Sequence, residues 1–220
     1  MRLSRPFVTV YTNECKEYCE AAFFSAIQAL THPDYTIHIV DNSLGMDYTH
    51  RLNRLCPSAH TIEHIDVDRE PRKTLFHRNV AFSLAHLRDQ FLATDRDYFV
   101  IFESDVIPPA NVLELFEEVY DQADIIGGLY YRGFHPDEAF DPQDLRLVPV
   151  RHVLSGCTMY KRAVIQKLPF RWDVDELGGF PDAFISRDAG KADFRLANYH
   201  KIKCRHLHGA DGGRGWAQLR

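Results

Sequence analysis

Several things are missing from this chain of 220 residues, and each absence narrows what it can be. No apolar run approaches the roughly 20 residues that a membrane-spanning helix needs. Met1 to Phe7 leads at once into a strand-like run, which leaves no signal-peptide core and no place for a transit peptide, so a cytoplasmic chain is expected. The five cysteines (Cys15, Cys19, Cys56, Cys157 and Cys204) are odd in number and lack C-x-x-C spacing, which argues for reduced thiols rather than a disulfide framework. Positive charge is not in excess: 31 acidic residues against 26 Lys and Arg give a formal charge of -5, a poor field for non-specific nucleic-acid binding. There is no repeat, low-complexity tract or linker, so residues 1–220 are expected to form a single domain. After the first strand, Tyr11-Thr12-Asn13-Glu14-Cys15 holds neither a glycine nor a basic residue. The Gly-rich tail from Gly209 to Trp216 lacks the residues of a Walker A loop and reads as a lid or terminus, with Arg214 and Trp216 as candidate contacts to phosphate or acceptor.

What is present alternates between strand and helix. Phe7 to Tyr11 is a buried-strand pattern ending at Thr12-Asn13, good helix N-cap residues, and Cys19, Ala22, Phe23, Ala26, Ile27 and Leu30 then recur at helical spacing. Tyr35 to Val40 and Thr61 to Ile65 read as further strands, separated by a helical stretch around Asp47 to Leu55. Pro71 suits a first helical turn, and Phe76, Val80, Leu84, Leu87 and Phe91 form the stripe of the helix that follows. The octet Tyr98 to Asp105 is the fourth strand, Asn111 to Tyr120 a helix, and Asp124 to Tyr130 another strand. This order predicts an α/β fold with a mainly parallel central sheet and helices on both faces, its ligands at the carboxyl ends of the strands. Beyond it, Gly133 to Arg151 reads as a long loop, Thr158 to Tyr160 as a short strand and Ala163 to Lys167 as a helical turn. Trp172 to Phe180 reads as a loop, Pro181 opens a helix that Gly190 ends, and Phe194 to Cys204 returns to extended chain.

The chemistry concentrates at Tyr98-Phe99-Val100-Ile101-Phe102-Glu103-Ser104-Asp105, an apolar run that ends in two carboxylates before Pro108-Pro109. On an extended chain, carboxylates at i and i+2 share a face, so both could reach one hard cation that bridges to phosphate oxygens. The same spacing argument puts His206 and His208 on one side of a C-terminal extended segment. It does not choose between them.

Taken in order, Tyr11-Thr12-Asn13-Glu14, Asp41-Asn42-Ser43, Arg78-Asn79, Glu103-Ser104-Asp105-Val106-Ile107-Pro108-Pro109, Ser155-Gly156-Cys157-Thr158-Met159-Tyr160-Lys161-Arg162, Pro181-Asp182-Ala183-Phe184 and His206-Leu207-His208 resemble the GT-A fold glycosyltransferases, especially the family 2-like nucleotide-sugar transferases. The resemblance runs from about Val8 to His208 and implies a Rossmann-like GT-A domain. Its nucleotide-binding half would span about 1–109 and its acceptor and metal-completing half about 110–220. It further implies a nucleotide-diphosphate sugar as donor, an acceptor hydroxyl and a divalent cation, Mn²⁺ or Mg²⁺. Tyr11, Thr12, Asn13, Glu14, Asp41, Arg78, Ser104 and Gly156 fall at donor-binding positions. For Asp41 the alternative is an Asx-turn residue that caps its loop; Arg72 and Lys73 are unassigned basic candidates for phosphate, with a solvated helix face as the simpler reading. Glu103 and Asp105 match the metal-binding D-x-D, with Glu in the first position; Asp105 is the direct ligand, and His206 or His208 supplies the C-terminal one. Asp182 matches the general base of inverting members, although Pro181 stands where an acid usually precedes it. Gly127-Gly128 and Ser155-Gly156-Cys157 match small-residue positions near the donor sugar and acceptor.

Other readings follow from the same residues. A sugar nucleotidyltransferase would want a Gly-rich loop with a basic residue after the first strand, and a zinc site at Cys204 lacks a fourth ligand. A nucleotide-sugar binding module without turnover fits the departures at Glu103 and Pro181. A glycosyltransferase acting on a hydroxylated base in DNA would call for basic residues around Arg132, Arg146 and Arg151.

Overall fold

Residues 5–67, 73–130, 141, 143–173 and 179–207 are described by a computed structural model. The chain starts with β1 (Pro6–Thr12), a 3-10 turn (Glu14–Lys16), α1 (Glu20–Gln28), β2 (Thr36–Asp41), α2 (Asp47–Leu55), β3 (Thr61–His64) and α3 (Lys73–Leu92). It continues through β4 (Tyr98–Glu103), β5 (Val106–Ile107), α4 (Val112–Glu118), β6 (Ile125–Leu129), β7 (Leu147–Pro149) and β8 (Cys157–Lys161). Last come α5 (Arg162–Lys167), α6 (Pro181–Lys191), β9 (Leu196–Lys203) and β10 (Arg205–His206).

Apolar residues fill both faces of the central strands, as a sheet covered on both sides requires. On β1 and β4, Val8, Val10, Val100 and Phe102 pack with Phe23, Ile27 and Phe116 from α1 and α4. Their neighbours Phe7, Phe99 and Ile101 point the other way, to Leu84, Leu87, Ile165 and Ile185 from α3, α5 and α6. The eight strands are ordered β3-β2-β1-β4-β8-β6-β9-β7. Pairing is parallel from β3 to β4 and between β6 and β9, while β8 and β7 run antiparallel to their neighbours. The sheet is thus mainly parallel with helices on both faces, as the sequence pattern predicts.

Four expectations need correction. The strand of the Tyr98–Asp105 octet stops at Glu103, and Ser104-Asp105 is a turn. Glu103 and Asp105 therefore do not share a strand face; Val106-Ile107 finds a distant antiparallel partner in Arg205-His206, and the turn is what lets the chain reach it. Thr12-Asn13 does not cap the first long helix: the Asn13 side chain accepts from the Cys15 N–H at 3.0 Å and caps only the 3-10 turn. Within the segment read as loop, Leu147–Pro149 pairs with β9, and Pro149 stands at the sheet edge, where a missing N–H is tolerated; residues 131–140 and 142 lie outside the described residues. Gly190 does not end α6, which runs to Lys191. Asp193 takes the left-handed conformation instead (φ 62°), and the Phe194 N–H closes the end on the Ala189 carbonyl at 3.0 Å.

Candidate functional site

At the carboxyl ends of β1 and β4 lies a cleft of about 280 Å³, walled by Phe76 and His77 of α3 and by the first turn of α6. Asp105 sits in it, 6% exposed. Its Oδ2 is ion-paired with the Lys16 ammonium and lies 3.5 Å from His206 Nε2, with the Tyr18 hydroxyl donating at 3.4 Å. The other oxygen, Oδ1, is buried and has no hydrogen-bond partner among the described residues. Burial alone would raise the Asp105 carboxyl, but the hydrogen bond from His206 and the Lys16 charge outweigh it and hold it at about 2. His206 arrives through the β5–β10 pairing, reinforced by the Leu207 N–H donating to the Asp105 carbonyl at 2.7 Å.

Glu103 has a different fate. It pairs in register with Tyr11, so the Tyr11 hydroxyl reaches Glu103 Oε1 at 2.7 Å while the Ser155 hydroxyl donates to the same oxygen at 2.6 Å. Burial, and then the Asp105 charge, push its carboxyl up. In the same lining, Pro181 opens α6 with its missing N–H at a position where none is needed, and Asp182 follows in the first turn. Asp182 is 6% exposed, accepts from the Ala183 N–H at 2.9 Å, and has His152 Nε2 3.5 Å from Oδ2.

The cleft thus brings together Tyr11, Thr12, Asn13, Glu103, Ser104, Asp105, Asp182 and His206 of the residues singled out in the sequence. It does not include four others. Asp41 is fully buried, accepting from the Ser43 N–H at 2.8 Å and the Thr49 hydroxyl at 2.5 Å, which is the loop-capping alternative. Glu14 is tied to the same loop, its N–H donating to the Ser43 hydroxyl at 2.8 Å. The Arg78 guanidinium lies over the Phe82 and Trp172 rings at 5.9 and 6.0 Å. Gly156 is explained by packing, because a Cβ there would come within 2.5 Å of the Tyr130 phenol. Gly127 and Gly128 likewise leave room for the side chains of Val153 and Ile202. His208, Arg72, Arg132, Arg214 and Trp216, and the side chain of Lys73, lie outside the described residues.

Two participants escaped the sequence reading, Lys16 and His152, and Asn42 entered it only as part of the Asp41-Asn42-Ser43 motif, with no role of its own. The signal for Lys16 was present, one residue past the Tyr11–Cys15 segment where a basic residue was sought. Asn42 Oδ1 accepts from Asn13 Nδ2 at 3.2 Å, and its amide donates to Ser83 at 3.1 Å, which fixes the floor beside β1. The residues present fit a divalent cation. Asp105 Oδ1 is an unsatisfied anionic donor, and the His206 imidazole beside it suits Mn²⁺ better than Mg²⁺. Among the described residues no three His, Cys, Asp or Glu side chains converge, so an ion here would complete its shell with ligand oxygens and water.

Such a sheet, with its cleft at the strand ends and an acidic turn after β4, defines a GT-A-like glycosyltransferase fold. Solved structures agree. The chain is similar to the mannosyltransferase PcManGT from Pyrobaculum calidifontis, a complex with GDP-Man and Mn²⁺, at 16% identity and a TM-score of 0.68 over 98% of this chain and 60% of that one. It is similar to S. aureus TarS 1–349 in complex with UDP-GlcNAc at 12% identity and a TM-score of 0.62, covering 95% of this chain and 60% of that one. It is also similar to A197 from STIV at 13% identity and a TM-score of 0.51, covering 94% and 86%. The chain thus spans about three fifths of PcManGT and of the TarS fragment. No family model matches, and no curated protein matches in sequence. No helix among the described residues is long and apolar enough to cross a membrane.

Proposed function

We propose that this protein is a metal-dependent glycosyltransferase that moves a sugar from a nucleotide-diphosphate sugar to an acceptor hydroxyl with inversion. The carrying observation is the cluster of Asp105, His206 and Lys16 in a cleft that Asp182 also lines. Residues 1–109 form the nucleotide-binding half in this reading, with Thr12, Asn13 and Asn42 along the nucleoside. Asp105 and His206 hold the divalent cation, which when bound neutralises the diphosphate leaving group. Lys16 adds a fixed positive charge beside the same phosphates. Asp182 takes the proton of the acceptor hydroxyl as that oxygen bonds to the anomeric carbon, and the bond to the diphosphate breaks with its electron pair on the departing oxygen. His152 positions the Asp182 carboxylate. The five free thiols support a reducing, cytosol-like compartment.

Asp105→Asn tests the assignment. It should lower Mn²⁺-dependent donor hydrolysis and transfer at least about a hundredfold, a loss expected when a charge-stabilising group is removed from the reaction centre. Turnover equal to the wild type would sink it. A second reading, a nucleotide-sugar binding module without turnover, is favoured by one observation: Glu103 is held by Tyr11 and Ser155 rather than offered to a ligand. Calorimetry with GDP-mannose and UDP-GlcNAc, with and without Mn²⁺, run beside the hydrolysis assay separates the two, since the module binds and does not hydrolyse.

A further inference from the structure

A second groove, about 850 Å³ in volume, runs along α6 and is bounded on its other side by β7 and the segment Val150–His152. The α6 residues lining it are Ala183, Ser186, Arg187, Gly190 and Lys191, which recur at i, i+3, i+4, i+7 and i+8 and so form one face of the helix. Its charge is opposite to that of the chain. Arg151, Arg187, Lys191 and Arg195 line it and, among the described residues, no Asp or Glu does, whereas the whole chain carries -5. Arg187 and Arg195 lean on carboxylates outside the lining, Asp188 at 3.3 Å and Asp124 at 3.4 Å.

Gly190 supplies an independent sign. Gly190 is the next-to-last residue of α6, and a glycine in a helical turn still weakens it relative to alanine, so it needs a reason. At Gly127, Gly128 and Gly156 a Cβ would strike a neighbouring side chain within 2.6 Å; at Gly190 it would meet nothing within 4 Å, and the backbone is not in the left-handed region. Packing within this protein does not require Gly190. Ser186 lines the groove with its hydroxyl already engaged by the Val153 backbone, accepting from the N–H at 3.2 Å and reaching the carbonyl at 3.4 Å.

The groove meets the cleft at Asp182. His152 lines the groove while its Nε2 lies 3.5 Å from Asp182 Oδ2, and Ala183 of the groove follows Asp182 of the cleft in sequence. An α-helix of this length spans about 16 Å. We infer that the groove holds the acceptor, an extended sugar chain bearing phosphate or carboxylate groups. One hydroxyl is presented to Asp182, and the anionic groups lie along Arg151, Arg187 and Lys191. This rests on the reading of Asp182 as the acceptor's base. Guanidinium forks match both oxyanions, and phosphate and carboxylate are two sources of the same chemistry. A nucleic acid fits less well: the chain as a whole repels it, and among the described residues Phe194 is the one Phe, Tyr or Trp in the lining on which a base could stack.

The test is fluorescence anisotropy of the full chain with labelled oligosaccharides of equal length, namely hyaluronan (carboxylate), phosphorylated oligomannose (phosphate) and neutral maltooligosaccharide, beside a single-stranded DNA oligonucleotide. One or both charged sugars should bind about tenfold or more tightly than the neutral one, and which of them does identifies the anion. Arg187→Gln/Lys191→Gln should weaken that binding about tenfold. Gly190→Gln should raise the melting temperature of the free protein, because a helix former replaces glycine, and yet weaken binding, a combination that misfolding does not produce. Neutral sugar bound as tightly as charged, DNA bound more tightly than either charged sugar, or Gly190→Gln leaving binding unchanged would each overturn the inference. The thermal shift of the wild type with donor and Mn²⁺, read on the same preparation, reports separately on the nucleotide site. A donor shift without charged-sugar binding overturns the groove alone; charged-sugar binding without any donor shift overturns the nucleotide reading and the acceptor role with it.

Discussion

Glu103 and Asp105 are two residues apart, both carboxylates and both in the same cleft, yet their surroundings drive them in opposite directions. Burial and then the neighbouring Asp105 charge push the Glu103 carboxyl up, outweighing the two hydroxyls that donate to it; Asp105 is buried too, but the hydrogen bond from His206 and the Lys16 charge hold its carboxyl at about 2. Asp105 therefore stays anionic at neutral pH, as the proposed cation ligand must, and Lys16 is the group a cation would have to share it with. Lys16→Met should consequently tighten Mn²⁺ binding in the absence of donor and weaken nucleoside diphosphate binding by about tenfold or more, the value of a charge-assisted hydrogen bond. Calorimetry of the two ligands separately gives both numbers. Equal Mn²⁺ affinity in the variant and the wild type would remove Lys16 from the site.

At the scale of elements, the parallel strands β1 to β4 form the rigid platform and the short β5–β10 ribbon completes it. The platform carries its own pH sensitivity in His38 of β2. This ring stacks on Phe7 at 3.8 Å, its Nδ1 lies 2.9 Å from the Thr61 hydroxyl, and its Nε2 is buried without a partner among the described residues. Burial, with the charges of His60 and Arg96, pushes it down to about 4 from 6.5. Between those values the unfolded chain binds the proton and the folded one does not, so this contribution to stability is full above about pH 6.5. It falls with acidification and is gone below about 4. His38→Phe should flatten that part of the profile, seen as a smaller drop in the urea midpoint between pH 7 and pH 4. Parallel profiles for the two proteins would show that His38 does not titrate with unfolding.

For the whole molecule, the proposed function has donor and metal bind the folded state alone, so they should raise its melting temperature. At a hundredfold excess over Kd the gain is about 2.7 kcal/mol, or roughly 5–10 °C for a chain of this size. A panel of nucleotide sugars with Mn²⁺ therefore identifies the donor by its shift, and a panel with no shift would contradict a nucleotide-sugar site. Much of this architecture was legible in the chain itself. The strands of β1 and β4 stood out because apolar residues on both faces leave no other home for Phe7 to Tyr11 or Tyr98 to Phe102. Asp105, Asp182 and His206 stood out because their chemistry matches a cation or a proton transfer. Residue type and local order sufficed for the two strands and for naming the candidates, but not for choosing between His206 and His208. The tertiary structure alone decided which groups share the cleft: Lys16 meets Asp105 across 89 positions, Ser155 meets Glu103 across 52, and His206 depends on a two-residue strand whose partner is a hundred positions away. It also turned Asp41 and Gly156 inward. Periodicity reports which face of an element is apolar, but pairing between distant elements depends on register and turn geometry, and no local pattern encodes those.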